Sequence, residues 1–215
     1  MTNIFELDLF EMRKDYSRGV LNENNLIESP FEQFKIWFNE AVENNEFEPN
    51  AMALATAGND KVVTLRMVLL KKINSEGFVF FTNYESTKGV QIAQNNNVGL
   101  LFFWPGAMRQ VRIEGKAKKI SSQESDTYFN SRPIESRASA ILSKQSRTLA
   151  NKDKFDELIE ELSNSGDILK RPQNWGGYVV VPNRFEFWQG GKGRSHDRFE
   201  FYLEENQWQI RRLYP

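Results

Sequence analysis

Cysteine is absent from these 215 residues, and histidine occurs once, at His196. The first absence excludes disulfides, thiolate nucleophiles, cysteine-ligated zinc and Fe–S clusters, and the second excludes HExxH-type zinc sites. Any redox chemistry here has to be carried by an organic cofactor. Long apolar runs are also missing: stretches such as Leu100–Trp104 fall far short of the roughly 20 residues that cross a bilayer. The opening segment MTNIFELDLFEMRKDY is acidic and lacks a signal-like apolar stretch, and no Asn-x-Ser/Thr acceptor occurs. A cytoplasmic protein with no membrane partner is expected. The net charge is −1, yet residues 1–50 carry 11 acidic and 4 basic side chains. The remainder is therefore mildly basic, too weakly to demand a nucleic acid but compatible with small phosphate pockets.

What the chain does contain reads as one domain, with no internal repeat. Ser29, Pro30 and Glu32 have capping-box spacing, and Phe31, Phe34, Phe38 and Ala41 follow at helical intervals. Ser121 and Glu124 repeat the capping spacing ahead of a helix that Pro133 stops. Asn151 opens a third helix, with Phe155, Leu158, Ile159 and Leu162 on one face and Gly166 beyond its end. Between these lie short β-rich runs, including KVVTLRMVLLKK, GFVFFTN, VGLLFFW, RQVRIEGKAKKI, GGYVVVP, RFEFWQ, DRFEFYLE and QWQIRRLYP. Many strands at spacings too tight for βαβ crossovers predict a mainly β fold, an antiparallel barrel with peripheral α-helices.

The segment GGKGRSH is a near miss to GxGxxG, because His196 stands at the third glycine, and it reads as a hairpin loop between strands. If it runs on as a strand, Arg194, His196 and Arg198 share one face while Ser195 and Asp197 point away. That row of donors suits an electron-rich or anionic ligand, or else is a solvated edge. SHD is then no hydrolase triad, since its members diverge. Other polar clusters recur: Arg66 and Lys71 in an apolar strand, Ser86 and Lys88 at a helix start, Tyr128 with Arg132 and Ser136, and Gln145 with Ser146. Together they suggest two anion sites. Trp188 and Trp104 border polar segments and could pack near a flat heterocycle, although aromatics among cations also suit single-stranded nucleic acid.

FEFWQGGKGRSHDR, together with LRMVLLK, FFTNYES, RQVRIEGKA, YFNSRPIES, SKQS and the terminal RRLYP, resembles the pyridoxine/pyridoxamine 5′-phosphate oxidase family in order from about Met12 to Pro215. The resemblance implies a split β-barrel over residues 29–215, preceded by a partly mobile arm over 1–28, and a homodimer with FMN between the subunits. It implies hydride transfer from C4′ of pyridoxamine or pyridoxine 5′-phosphate to flavin N5. The product would be pyridoxal 5′-phosphate, with O₂ reduced to H₂O₂ and no nucleic acid involved.

Carried over by motif, the cofactor contacts are Arg66, Met67, Val68, Leu69, Leu70, Lys71, Phe81, Thr82, Thr87, Lys88, Gln110, Gln145, Ser146, Trp188 and Arg198. Lys71, Tyr128, Arg132 and Ser136 resemble the substrate-phosphate cradle. Arg194 and His196 resemble the residues facing the reacting carbon, flanking Ser195, and Arg13, Lys14, Asp15 and Tyr16 a segment that covers substrate. Flanking arginines should keep His196 neutral and able to accept a hydrogen bond. Thr87 departs from the family's usual arginine, so Thr87 or Ser86 would have to donate instead, and Ser195 replaces an aliphatic residue. Arg66 and Lys71 have opposite parity in a flat strand, so serving two neighbouring ligands requires a bend, a bulge or contributions to different subunits' sites. A non-catalytic FMN- or pyridoxal-phosphate-binding module and an NAD(P)H-consuming flavin reductase remain as rival readings.

Overall fold

The computed structural model describes residues 19–215, so Arg13, Lys14, Asp15 and Tyr16 lie outside the described residues. Within them, nine strands run in chain order: β1 Ala51–Ala57, β2 Val63–Leu69, β3 Lys72–Ile73, β4 Phe78–Asn83, β5 Asn97–Trp104, β6 Arg109–Lys119, β7 Trp175–Gln189, β8 Asp197–Glu204 and β9 Gln207–Leu213. Five helices accompany them: α1 Pro30–Glu43, α2 Thr87–Gln94, α3 Ser122–Asn130, α4 Ile134–Leu142 and α5 Lys152–Asn164. Every strand pair is antiparallel.

The order β2-β1-β5-β6-β7-β4-β3 begins and ends on strands that are consecutive in sequence. Only Leu70 and Lys71 separate them. The Leu70 N–H donates to Asn50 O just before β1, and the Lys71 N–H donates to Val79 O of β4, both at 2.8 Å. The chain thus crosses from one end of the sheet to the other within two residues, which curls the sheet into a half-barrel. This crossing is the bend that the opposite parity of Arg66 and Lys71 requires. β7 bends as well: Trp175–Val180 pair with β4, Arg184–Gln189 pair with β8, and the neighbouring β6 carries a bulge at Glu114/Gly115. A Cβ on Gly115 would lie 2.3 Å from Val181 O, so the bulge needs glycine there.

Helix α1 closes the curl. Ser29 caps it by accepting the Glu32 N–H, and Phe34 and Trp37 turn inward. The Phe34 ring lies 4.9 Å from both Phe78 and Phe102, and Trp37 lies 5.2 Å from Phe187, joining the helix to β4, β5 and β7. Burying each such side chain contributes roughly 1.5–3 kcal/mol. Leu21 is also buried, and its N–H donates to Asp197 Oδ2 at 3.1 Å, tying the start of the described chain to β8.

Two elements escape the sequence reading. β1, AMALATA, buries Met52, Leu54 and Thr56 in strict alternation, but its alanines have weak strand preference. α4 follows Pro133 with no side-chain cap, so the usual start signal is missing. One expectation is overturned. Lys192–Arg194 form a 3₁₀ turn with positive φ at Gly193 and Arg194, and β8 begins only at Asp197. A Cβ on Gly191 would sit 2.0 Å from Ser195 O, so the segment folds back on itself as a tight loop. Arg194, Ser195 and His196 therefore do not share strand parity with Arg198, and the divergence drawn for Ser195 loses its basis. The hairpin itself is present, since β7 and β8 pair directly.

Candidate active site

A cleft of about 760 Å³ opens where β2, β4, α2 and α4 meet. Of the carried-over residues, Arg66, Met67, Val68, Leu69, Lys71, Phe81, Thr82, Lys88, Tyr128, Arg132, Ser136, Gln145 and Ser146 line it. Leu70 is buried instead, consistent with its place in the crossing between β2 and β3. Asn83, Ser139, Ser143 and Trp175 also line the cleft and were not anticipated. The spacing of Ser136, Ser139, Ala140 and Ser143 is one helical face, a signal that becomes legible once α4 is recognised.

The lining contains four cations, Arg66, Lys71, Lys88 and Arg132, and no carboxylate. None of the four joins an ion pair among the described residues. Lys88 is only 8% exposed, and its Nζ donates to Gln145 Oε1 at 3.1 Å and Ser86 Oγ at 3.4 Å. Burial first and the Arg66 charge second push its pKa down to about 8. Arg66 Nη1 donates to Leu54 O at 2.9 Å and Thr56 Oγ1 at 2.6 Å, while Nη2 donates to Thr64 Oγ1. Arg132 lies 4.8 Å over the Trp175 ring, beside stacked Phe81 and Tyr128, and its Nη1 is buried without an acceptor. Burial lowers the pKa of both arginines.

A buried guanidinium N–H with no acceptor and a desolvated lysine beside a second cation are costly unless an anion completes them. The residues present therefore fit the phosphate of FMN, and they also fit a second phosphorylated ligand. At the α2 start, Ser86 caps the helix by accepting the Gly89 N–H, and its hydroxyl donates to Asn83 O at 2.7 Å. That use leaves it unsuited to replace the missing arginine. The Thr87 N–H donates to Ser146 Oγ at 3.3 Å, placing Thr87 at the cleft edge.

Gln110, Trp188, Arg194, Ser195, His196 and Arg198 do not line this cleft. Gln110, Trp188 and Arg198 occupy one cross-strand row over β6, β7 and β8. Glu186 Oε1 accepts from Arg198 Nε at 2.8 Å and raises its pKa. The His196 ring packs 4.6 Å from Trp188. Burial, then Arg194, then Arg198 lower the His196 pKa, which keeps the imidazole neutral at pH 7. Its Nδ1 accepts the Gly191 N–H at 3.2 Å, so the neutral tautomer carries its proton on Nε2. His196 is thus a neutral imidazole that accepts a hydrogen bond, as the sequence reading expected, with Nδ1 as the accepting atom.

The sequence model described as "Pyridoxamine 5'-phosphate oxidase" matches residues 38–164, and that described as "Pyridoxine 5'-phosphate oxidase C-terminal dimerisation region" matches residues 175–215. Pyridoxine/pyridoxamine 5′-phosphate oxidases are 43% identical in Legionella pneumophila, covering 96% of this chain and 97% of that protein, and 47% identical in Cupriavidus necator, covering 96% and 99%. The structure of PhzG from Burkholderia lata, in complex with tetrahydrophenazine-1-carboxylic acid, superposes with a TM-score of 0.88 at 28% identity, covering 93% of this chain and 100% of that one. A related FMN-binding protein from Nostoc punctiforme shares the fold, with a TM-score of 0.73 at 14% identity, covering 88% and 100%. The chain belongs to the pyridoxine/pyridoxamine 5′-phosphate oxidase family.

Proposed function

We propose that the protein is an FMN-dependent oxidase that converts pyridoxamine 5′-phosphate and pyridoxine 5′-phosphate to pyridoxal 5′-phosphate, serving vitamin B6 synthesis and salvage. The observation that carries this reading is a cleft with four cations and no carboxylate, flanked by a flat aromatic stack. FMN, when bound, supplies the two-electron chemistry, accepting from C4′ of the substrate and passing the electrons to O₂ to give H₂O₂.

Arg66, Lys88 and Ser146 would hold the cofactor phosphate, with Thr82 and Gln145 orienting the groups between. Lys71, Tyr128, Arg132 and Ser136 would hold the substrate phosphate. Each charged hydrogen bond of this kind contributes roughly 1.5–3 kcal/mol, enough for several to fix a ring at reacting distance.

The protein works as a homodimer. Residues 175–215 match the family's dimerisation region, and the sheet offers an uncovered apolar stripe: Leu65 is 69% exposed, Met67 63% and Phe103 55%. The register continues that face through Ala53 and Leu101 to Arg112, and through Phe103 to Gln110, Trp188 and Arg198. Pairing two such faces would bring Gln110, Trp188, Arg194, His196 and Arg198 of one subunit to the cleft of the other. There His196 and Arg194 would orient the substrate ring and set its protonation, His196 through Nε2–H.

No helix among the described residues is long and apolar enough to cross a membrane. We place the enzyme in the cytoplasm, where phosphorylated substrates are retained. Adding pyridoxamine 5′-phosphate anaerobically to the FMN-loaded protein should bleach the flavin band, with the aldehyde formed and colour restored by air. Flavin that neither substrate bleaches would mark a binding module, and bleaching by NAD(P)H alone would mark a reductase.

A further inference from the structure

Arg66 does not stand alone in the cleft. It rests on a buried relay that ends on α2. Gln91 is 8% exposed and Thr56 is 2% exposed. Gln91 Oε1 accepts from Thr56 Oγ1 and from Thr64 Oγ1, both at 2.6 Å. Gln91 Nε2 donates to Val62 O at 3.3 Å, which orients the amide. Each threonine hydroxyl has one hydrogen, and here both are directed to Gln91. Their oxygens are then left as acceptors, and Arg66 Nη1 and Nη2 donate to them.

A guanidinium has five N–H donors. Leu54 O and Thr56 occupy the two on Nη1, and Thr64 occupies one on Nη2. That leaves Nε–H and one Nη2–H, the two-donor fork that matches a phosphate. Lys88 sits three residues before Gln91 on the same helix, so α2 carries one phosphate ligand directly and anchors the other indirectly. Two cations this close repel each other, and a long side chain would otherwise relieve that repulsion by turning toward water.

We propose that Gln91, acting through the hydroxyls of Thr56 and Thr64, is a positioning residue that holds the Arg66 fork toward the FMN phosphate. This rests on the assignment of the cleft to FMN. It concerns the phosphate alone, which gives a readout separate from turnover: full-length protein stripped of flavin is titrated with FMN and with riboflavin, following flavin fluorescence.

Gln91→Met, which keeps length and loses the acceptor, should raise the Kd for FMN about tenfold while riboflavin changes less than about twofold. Thr56→Val should do the same, and Thr56→Ser, which keeps the hydroxyl, should restore wild-type discrimination. In an Arg66→Ala background Gln91→Met should have no further effect. Equal weakening toward both flavins, or an unchanged Kd for FMN, would overturn the proposal. If Gln91→Met fails to fold, the contrast between Thr56→Val and Thr56→Ser decides by the same criterion. Wild-type protein that binds riboflavin as tightly as FMN would instead remove the phosphate-site reading itself.

Discussion

With Lys88 proposed as a ligand of the FMN phosphate, cofactor affinity should depend on pH in a definite direction. Its pKa in the ligand-free cleft is about 8, lowered first by burial and then by Arg66. About nine-tenths of the side chain is then charged at pH 7 and about one-tenth at pH 9. The FMN phosphate, with a second pKa of about 6, stays dianionic throughout this range. Binding that requires the ammonium should weaken by up to about tenfold between pH 7 and pH 9, or about 1.4 kcal/mol. Riboflavin has the same ring without the phosphate, so the ratio of the two dissociation constants isolates the effect. Lys88→Arg keeps its charge and should give a flat ratio, and Lys88→Met should give a flat ratio at low affinity. A wild-type ratio of the riboflavin Kd to the FMN Kd that does not fall between pH 7 and pH 9, or a tenfold fall that persists in Lys88→Met, would refute the reasoning. The sign for stability is opposite. Between pH 8 and 10.5 the unfolded chain holds a proton that folded Lys88 has lost, so the ligand-free protein should become more stable as pH rises through that window.

Three further outcomes follow from the same geometry. Arg132→Met should raise KM for pyridoxamine 5′-phosphate about 10- to 100-fold with FMN affinity unchanged, and should raise the melting temperature of the ligand-free protein, because a half-buried guanidinium whose Nη1 has no acceptor is removed. Steady-state kinetics and a thermal scan check both, and an unchanged KM would take Arg132 out of the substrate cradle. Arg194→Ala should move the acid limb of the kcat/KM profile to higher pH, since one of the charges that depress the His196 pKa is lost. A limb that stays in place means that His196 does not govern it. Leu65→Glu puts a charge in the middle of the exposed apolar stripe and should give a monomer by light scattering, with FMN binding weakened in parallel. A dimer of unchanged affinity would place the interface elsewhere.

Much of the fold was legible along the chain, because its signals are local. Ser29, Ser121 and Asn151 cap the helices expected of them, and eight β-rich runs become strands, two of them merging into β7. β1 and α4 were not legible: alanine-rich alternation is a weak strand signal, and Pro133 gives a helix start with no capping hydroxyl. The hairpin loop at Lys192–His196 was legible, but a shared face for Arg194, His196 and Arg198 was not, because parity says nothing once glycine admits positive φ and a tight return.

For the site, sequence by itself determined the inventory: no thiol, one imidazole, and cations scattered in motifs that name a family. Only the tertiary structure decided which of them meet. The crossing at Leu70 and Lys71 brings Arg66, Lys71, Lys88 and Arg132 into one cleft without a carboxylate, and leaves Trp188, Arg198 and the His196 loop apart from it. It also decided that His196 Nδ1 is occupied by Gly191 N–H and that Gln91 underlies Arg66. Such contacts join residues far apart in the chain, and their geometry depends on how the sheet curls, which no local pattern encodes.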